Sequence, residues 1–88
     1  MEDNTAARRC LRFDIRPQQS QAPALHFTLR RKHAIAVLRN YIKRAARERL
    51  LKSQERNKVD IHISLLRKIG WKEKPLVAEE LSAFAGTL

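Results

Sequence analysis

The sequence predicts a small α+β domain, on three observations. Three short segments alternate apolar and polar residues, as half-buried strands do: CLRFDIR (10–16), ALHFTLR (24–30) and KVDIHIS (58–64). Between the second and third, apolar residues recur with the period of a helix. The composition, 43% hydrophobic and 32% charged, is that of a globular chain. We therefore expect a two-layer ββαβα domain, with one long basic helix packed on a three-stranded sheet and a C-terminal helical segment.

The chain begins with a polar segment, and the first two predicted strands follow it. Residues 1–9 predict a flexible tail, which leaves residues 10–88 as a single domain. The stretch PQQSQAP, bracketed by Pro17 and Pro23, predicts a loop. Because the first two alternating segments flank this one loop, we expect them to pair as an antiparallel hairpin.

Residues 30–51 predict one continuous helix with an apolar stripe on one side and cations on the other. Arg39, Lys43 and Arg47 follow one another at four-residue spacing with no carboxylate among them, Lys32 extends the same row, and Arg44 lies beside it. Like charges at this spacing repel by a few tenths of a kcal/mol. A helix that tolerates this repulsion to keep one face positive favours contact with phosphates.

The C-terminal part predicts two short helices. Ser64 is placed to cap the first, and Gly70 to end it in a left-handed conformation. Pro75 suits the first turn of the second helix. Trp71 has two interpretations: it closes one end of the core, or it is an exposed ring that stacks on a base or anchors a protein partner.

The polar face of the predicted sheet is a second candidate surface. It carries Arg12, Arg16, His26, Arg30 and His62. No aromatic residue is expected there, so the stacking platform of sheet-type RNA binders is missing. His26 and His62 could meet Asp14 and Asp60 for acid–base chemistry or metal binding, but no recognised spacing supports either. We therefore predict no enzyme, no metal site and no cofactor.

The net charge of +10 is concentrated in the middle of the chain. Residues 30–58 hold eleven of the 19 lysines and arginines but two of the nine acidic residues. Such clustering indicates a polyanionic partner. We predict a small non-enzymatic nucleic-acid-binding protein, with DNA slightly favoured over RNA and a regulatory role left open. The predicted contact residues are Arg30, Arg31, Lys32, Arg39, Lys43, Arg44, Arg47, Arg12 and Arg16. The alternative is an adaptor or inhibitor whose cationic helix docks on an acidic protein surface.

Compartment and assembly follow from weaker signals. A single cysteine, Cys10, excludes an internal disulfide and favours a reducing compartment, so we expect a cytoplasmic protein. No apolar run approaches the length of a membrane span, and we expect no membrane partner. Exposed strand edges leave a homodimer open as an alternative.

Overall fold

Residues 9–88 are described by a computed structural model, which confirms the predicted α+β architecture. The strands are β1 (Leu11–Pro17), β2 (Leu25–Thr28) and β3 (Val59–Leu65), the helices are α1 (Ala36–Asn57) and α2 (Lys74–Thr87), and a 3-10 turn spans Trp71–Glu73. The predicted tail, residues 1–9, lies outside the described residues except for Arg9. The three strands thus stand within two residues of where the alternating pattern placed them, and the two helices lie in the predicted order.

The sheet has the order β1-β3-β2, with β3 antiparallel to β1 and parallel to β2. The predicted β1–β2 hairpin is therefore wrong. The loop after β1 instead crosses to the other side of β3, where two buried polar side chains hold it. Asp60 accepts a hydrogen bond from the Ala24 amide (2.8 Å), and Gln54 donates one to the Ala24 carbonyl (2.8 Å). These bonds fix the chain at the start of β2, beside β3 rather than beside β1.

The core lies between the sheet and the two helices. It is built from the inward residues of the strands and from the apolar sides of α1 and α2, and its fully enclosed members include Leu11, Leu38, Ile42, Leu50, Ile61, Ile63, Val77 and Leu81. Burying a side chain of this size contributes roughly 1.5–3 kcal/mol. Because β3 contributes both Ile61 and Ile63, it takes the central place in the sheet, where a strand is covered best.

Helix α1 begins six residues later than predicted. Residues 30–34 form a turn, in which the Arg30 carbonyl accepts hydrogen bonds from the amides of His33 (3.0 Å) and Ala34 (3.3 Å). Ile35 is extended (φ −68°, ψ 160°) and precedes the first helical residue. The single rod over residues 30–51 is therefore wrong at its start. The turn buries Ala34 and keeps Arg30 and its neighbours out of the positive end of the helix dipole, where cations are disfavoured.

Helix α1 also continues beyond the predicted end. Ser53 and Gln54 are buried polar residues that extend its inward side, which an apolar pattern does not reveal. The helix ends at Asn57, its cap Lys58 is in a left-handed conformation (φ 55°, ψ 55°), and β3 starts at the next residue. This tight link leaves no loop between α1 and the central strand.

The first of the two predicted C-terminal helices is wrong, and the second is confirmed. Ser64 belongs to β3, and Gly70 is extended (φ −111°) rather than left-handed. Ile69, in the segment between them, is buried, and its amide donates to the His33 carbonyl (2.8 Å). This tertiary bond holds the segment as an extended connection. Helix α2 has Pro75 in its first turn, as expected.

Candidate nucleic-acid interface

The cationic row, defined here as Arg39, Lys43 and Arg47, lies along one side of α1, and Arg47 is near the edge strand β2. Arg39 and Lys43 are half-buried and Arg47 is exposed. The Arg39 Nε donates to the Ala34 carbonyl (3.2 Å), and the Arg47 guanidinium carbon is 5.9 Å from the centroid of the Phe27 ring. Successive members rise about 6 Å along the helix axis, one turn apart. The row is thus aligned in one direction, and its side chains are partly positioned by the fold.

The cationic row has no carboxylate partner among residues 9–88. The ion pairs within this range are Arg12–Asp14 (3.6 Å) and Arg49–Glu48 (3.8 Å). Both of these pairs join neighbours in sequence and lie outside the row. Its positive charge is therefore not neutralised by the described part of the molecule and is available to an external anion.

The other predicted contact residues surround this row. Arg44 is exposed on the next face of α1, whereas Arg30, Arg31 and Lys32 are exposed in the turn that precedes the helix. Lys32 is therefore not part of the helical row. Arg12 and Arg16 lie on the outer face of β1, where Arg12 is paired with Asp14.

The outer face of the sheet is open and carries titratable groups in register. His62 on β3 pairs across the sheet with Asp14 on one side and His26 on the other. The Thr28 Oγ1 and His62 Nε2 atoms are 2.7 Å apart. Asp60 does not join this group, because its carboxylate is buried and accepts the amides of Gln19 (3.3 Å) and Ala24 (2.8 Å). Three of the four residues considered for acid–base chemistry therefore converge, and the fourth anchors a loop.

Phe27 lies beside the cationic row. Its half-buried ring packs against the core, and its centroid is 5.9 Å from the Arg47 guanidinium carbon. Strand alternation predicts Phe27 on the inner face, and its packing against the core agrees. The residue also borders a depression of about 480 Å³, together with Arg16, His26 and His62. Residues of β2 therefore border both the cationic row and the outer face of the sheet.

A second aromatic group lies on the opposite side of α1. Trp71 is 46% exposed, and its ring meets the Tyr41 ring edge to face, with centroids 6.4 Å apart and planes at 67°. The Lys74 Nζ lies 4.8 Å from the Tyr41 centroid and 4.9 Å from the Trp71 centroid. Of the two interpretations of Trp71, the exposed ring is the one that the structure supports.

Cys10 is held in a protonated form. Burial raises the pKa of its thiol to about 11, and the nearby Glu80 carboxylate acts in the same direction. A thiol with this pKa is a poor nucleophile at neutral pH. Within residues 9–88, no group of three or more histidine, cysteine, aspartate and glutamate side chains is arranged to hold a metal ion. No helix in this range is long and apolar enough to cross a membrane.

A small α+β domain with a row of helical cations that has no carboxylate partner within residues 9–88 has the features of the nucleic-acid-binding class. The family model described as Ribonuclease P matches residues 1–88. The chain belongs to the Ribonuclease P family. No curated protein and no solved structure matches the chain.

Family membership corrects two predictions made from the sequence. The preference for DNA over RNA is wrong, because this family is one of RNA-binding protein subunits of an RNA-processing enzyme complex. The prediction of a non-enzymatic, regulatory protein is wrong for the same reason, since the family implies a subunit of a ribonucleoprotein enzyme. Nucleic acid as a partner is confirmed. The predictions of an acidic protein partner, a homodimer and a cytoplasmic location stay predictions.

Proposed function

We propose that this chain is the protein subunit that binds the RNase P RNA in an enzyme that cleaves tRNA precursors, and that the cationic row contacts RNA phosphates. The observation that carries the proposal is the coincidence of the family match over residues 1–88 with three aligned cations that lack a carboxylate partner within residues 9–88. Lysine and arginine side chains that serve only the stability of a helix are usually mixed with carboxylates on its surface. When a phosphate backbone lies along α1, its negative charge neutralises the cations of the row.

The proposed contacts extend from the row in two directions. Arg44 lies on the exposed face of α1 that follows it, and the turn before α1 adds Arg30, Arg31 and Lys32. Across β2, the outer face of the sheet adds Arg12 and Arg16. An elongated cationic surface of this kind suits a strand that passes over the edge of the sheet. Because phosphates carry no sequence information, we expect the chain to recognise the shape of the RNA rather than its sequence.

The physical role that we propose is to reduce repulsion between two polyanions. An enzyme RNA and a precursor tRNA repel one another, and cations placed between them lower that cost most at low ionic strength, where screening is weak. The protein should therefore stimulate cleavage strongly in dilute salt and less as salt is raised. The same surface can serve both RNAs, because its charges are spread over the helix, the preceding turn and the sheet.

The test uses the RNase P RNA of the same organism, transcribed in vitro. We expect the purified chain to bind this RNA at least about tenfold more tightly than a duplex DNA of equal length at the same salt concentration. We also expect the chain to raise the rate at which the RNA cleaves a precursor tRNA in dilute salt. Equal or tighter binding to the DNA, together with an unchanged cleavage rate, would refute the proposal.

A further inference from the structure

Trp71 is a large ring that the fold keeps at the surface. The Gly70 amide donates to the Glu73 carboxylate (2.7 Å), and the Glu73 amide donates back to the Gly70 carbonyl (3.0 Å). This reciprocal pair closes the 3-10 turn that begins with Trp71. Leaving about half of a tryptophan in water forfeits a large hydrophobic contribution. Because the turn nevertheless holds the ring outward, its exposure indicates that the ring contacts a binding partner.

The surroundings of this ring are cationic. Lys74 lies over both Trp71 and Tyr41, and Lys72 is exposed in the same turn. On α1, Arg44 lies between Tyr41 and Arg47, about 60° around the helix from each at 3.6 residues per turn. The cationic row is therefore continued by Arg44 to the two rings. Aromatic rings flanked by cations are the combination that binds single-stranded nucleic acid, in which bases stack on the rings and phosphates meet the charges.

We propose that Trp71 and Tyr41 form a stacking subsite for one unpaired base of the bound RNA, with Arg44 and Lys72 on the adjoining phosphates. The proposal rests on RNA binding as described under the proposed function, and it adds a contact that reads the presence of an unpaired base. Charge complementarity favours RNA over an apolar protein partner, because a protein docked on the rings would have to cover the surrounding lysines. Stacking accepts any base, so the subsite distinguishes unpaired from paired RNA rather than one sequence from another.

The experiment uses the intrinsic fluorescence of the chain, since Trp71 is its sole tryptophan. The probes are a labelled oligoadenylate dodecamer, a blunt RNA duplex of the same length and inorganic polyphosphate. Binding is measured by anisotropy of the labelled RNAs, and quenching is measured on Trp71. The proposal predicts strong quenching by the oligoadenylate and little by the duplex or by polyphosphate, which offer charge without an unpaired base.

Variants supply a second measurement that does not depend on fluorescence. Trp71→Leu keeps an apolar side chain but cannot stack, and it should weaken oligoadenylate binding roughly 5- to 150-fold, whereas Trp71→Phe should retain most of the affinity. The matched control is Ile15→Ala, which removes an exposed apolar side chain (48% exposed) from β1 and should leave the affinity unchanged. Equal affinities for Trp71→Leu and Trp71→Phe would overturn the subsite.

The outcomes separate this proposal from the proposed function. If the oligoadenylate binds but leaves Trp71 fluorescence unchanged, or if polyphosphate quenches equally, the stacking subsite is overturned while RNA binding stands. If neither the oligoadenylate nor the RNase P RNA binds, the proposed function itself fails. Selective quenching by the unpaired RNA, together with the loss in Trp71→Leu, supports both.

Discussion

The two helices pack on the same sheet but use their charged residues in opposite ways. Among residues 9–88, the cations of the row on α1 meet no carboxylate. On α2, by contrast, the half-buried Glu80 carboxylate has partners within the molecule, because it accepts hydrogen bonds from the amides of Cys10 (2.8 Å) and Leu11 (2.9 Å) at the start of β1. One helix therefore leaves its charge available, and the other uses its charge to hold the chain together.

This difference separates function from stability at the level of single residues. A charge that is satisfied within the fold contributes to the free energy of unfolding, and removing it leaves buried partners without a hydrogen bond. A charge with no internal partner contributes little to stability and can even oppose it through repulsion. Charge changes in the cationic row should therefore alter RNA binding and spare the fold, while changes at Glu80 should do the reverse.

The largest expected effect comes from reversing two charges of the row. Lys43→Glu combined with Arg47→Glu should weaken binding to the RNase P RNA by about 100-fold or more, because two attractions become two repulsions of about 1 kcal/mol each even in high dielectric. The thermal midpoint should change by no more than a few degrees. Anisotropy titration and circular dichroism measure the two quantities.

The matched control for this variant lies on the same helix. Lys52→Glu combined with Arg56→Glu changes the net charge by the same amount, but both residues are exposed about 140–180° around α1 from the middle of the row. We expect a loss of affinity of only a few-fold. If both double variants bind equally weakly, net charge alone determines the affinity, and the row is not the RNA contact surface.

The next largest effect should appear in stability rather than in binding. Glu80→Ala leaves two backbone amides without their acceptor, which should lower the free energy of unfolding by about 2–3 kcal/mol. Glu80→Gln keeps one oxygen acceptor and should lose about half as much. Denaturant unfolding measures both. Glu79→Ala, an exposed neighbour on the same helix, is the control, and an equal loss in that variant would show that the carboxylate of Glu80 has no special role.

Gln54 tests the bonds that direct β2 to its place in the sheet. Gln54→Leu removes donors to the carbonyls of Ala24 (2.8 Å) and Val59 (3.2 Å), and it should cost about 1–3 kcal/mol. We expect the amides near residue 24 to lose hydrogen-exchange protection before the rest of the sheet does. Glu55→Leu, exposed on the next position, should leave protection unchanged. Uniform loss of protection over all strands would contradict a local anchoring role.

We expect the free energy of unfolding to depend on pH through Cys10. Because its folded pKa of about 11 lies above the ordinary 9.0, the folded state holds the proton more tightly than the unfolded state. The associated stability is fully present below pH 9 and is lost as pH rises from about 9 to 11. The difference in stability between wild type and Cys10→Ala should therefore shrink over this interval. A constant difference would contradict the burial of the thiol.

The smallest expected effect is an increase in stability. Lys58 ends α1 in a left-handed conformation, which costs a residue with a Cβ roughly 1 kcal/mol and costs glycine much less. Lys58→Gly should therefore raise the free energy of unfolding by about 0.5–1 kcal/mol, which is what remains after the greater conformational entropy of glycine in the unfolded state is subtracted. Thermal unfolding measures it. A lower free energy of unfolding in this variant would show that the Lys58 side chain stabilises the fold by more than its left-handed conformation costs.

The sequence predicted what depends on local periodicity and missed what depends on distant partners. Alternation located all three strands, and four-residue spacing located the cationic row. The strand pairing was missed, because it depends on Gln54 and Asp60 holding Ala24 from 30 and 36 positions away. The start of α1 was missed because the Arg30 carbonyl closes a separate turn, which the helical period of the following residues does not reveal.

The candidate site shows the same limit. RNA and DNA present similar phosphates, so a row of cations could not distinguish them, and the family match was needed. The sequence favoured Trp71 as a residue that closes one end of the core, with an exposed ring as the alternative. Its exposure is set by the turn that Gly70 and Glu73 close, which the sequence pattern does not reveal. Alternation correctly placed Phe27 on the inner face of the sheet, but its closeness to Arg47 depends on how α1 packs there, which the sequence pattern does not reveal.

The most direct test of the cationic row is the salt dependence of RNA binding. Each phosphate contact contributes about 0.7–0.9 to the slope of log affinity against log salt concentration. The neutral variant Lys43→Gln with Arg47→Gln should therefore bind the RNase P RNA with a slope smaller in magnitude by about 1.4–1.8 than the wild type. An unchanged slope would show that these two side chains do not meet phosphates, and it would contradict the assignment of the row to RNA.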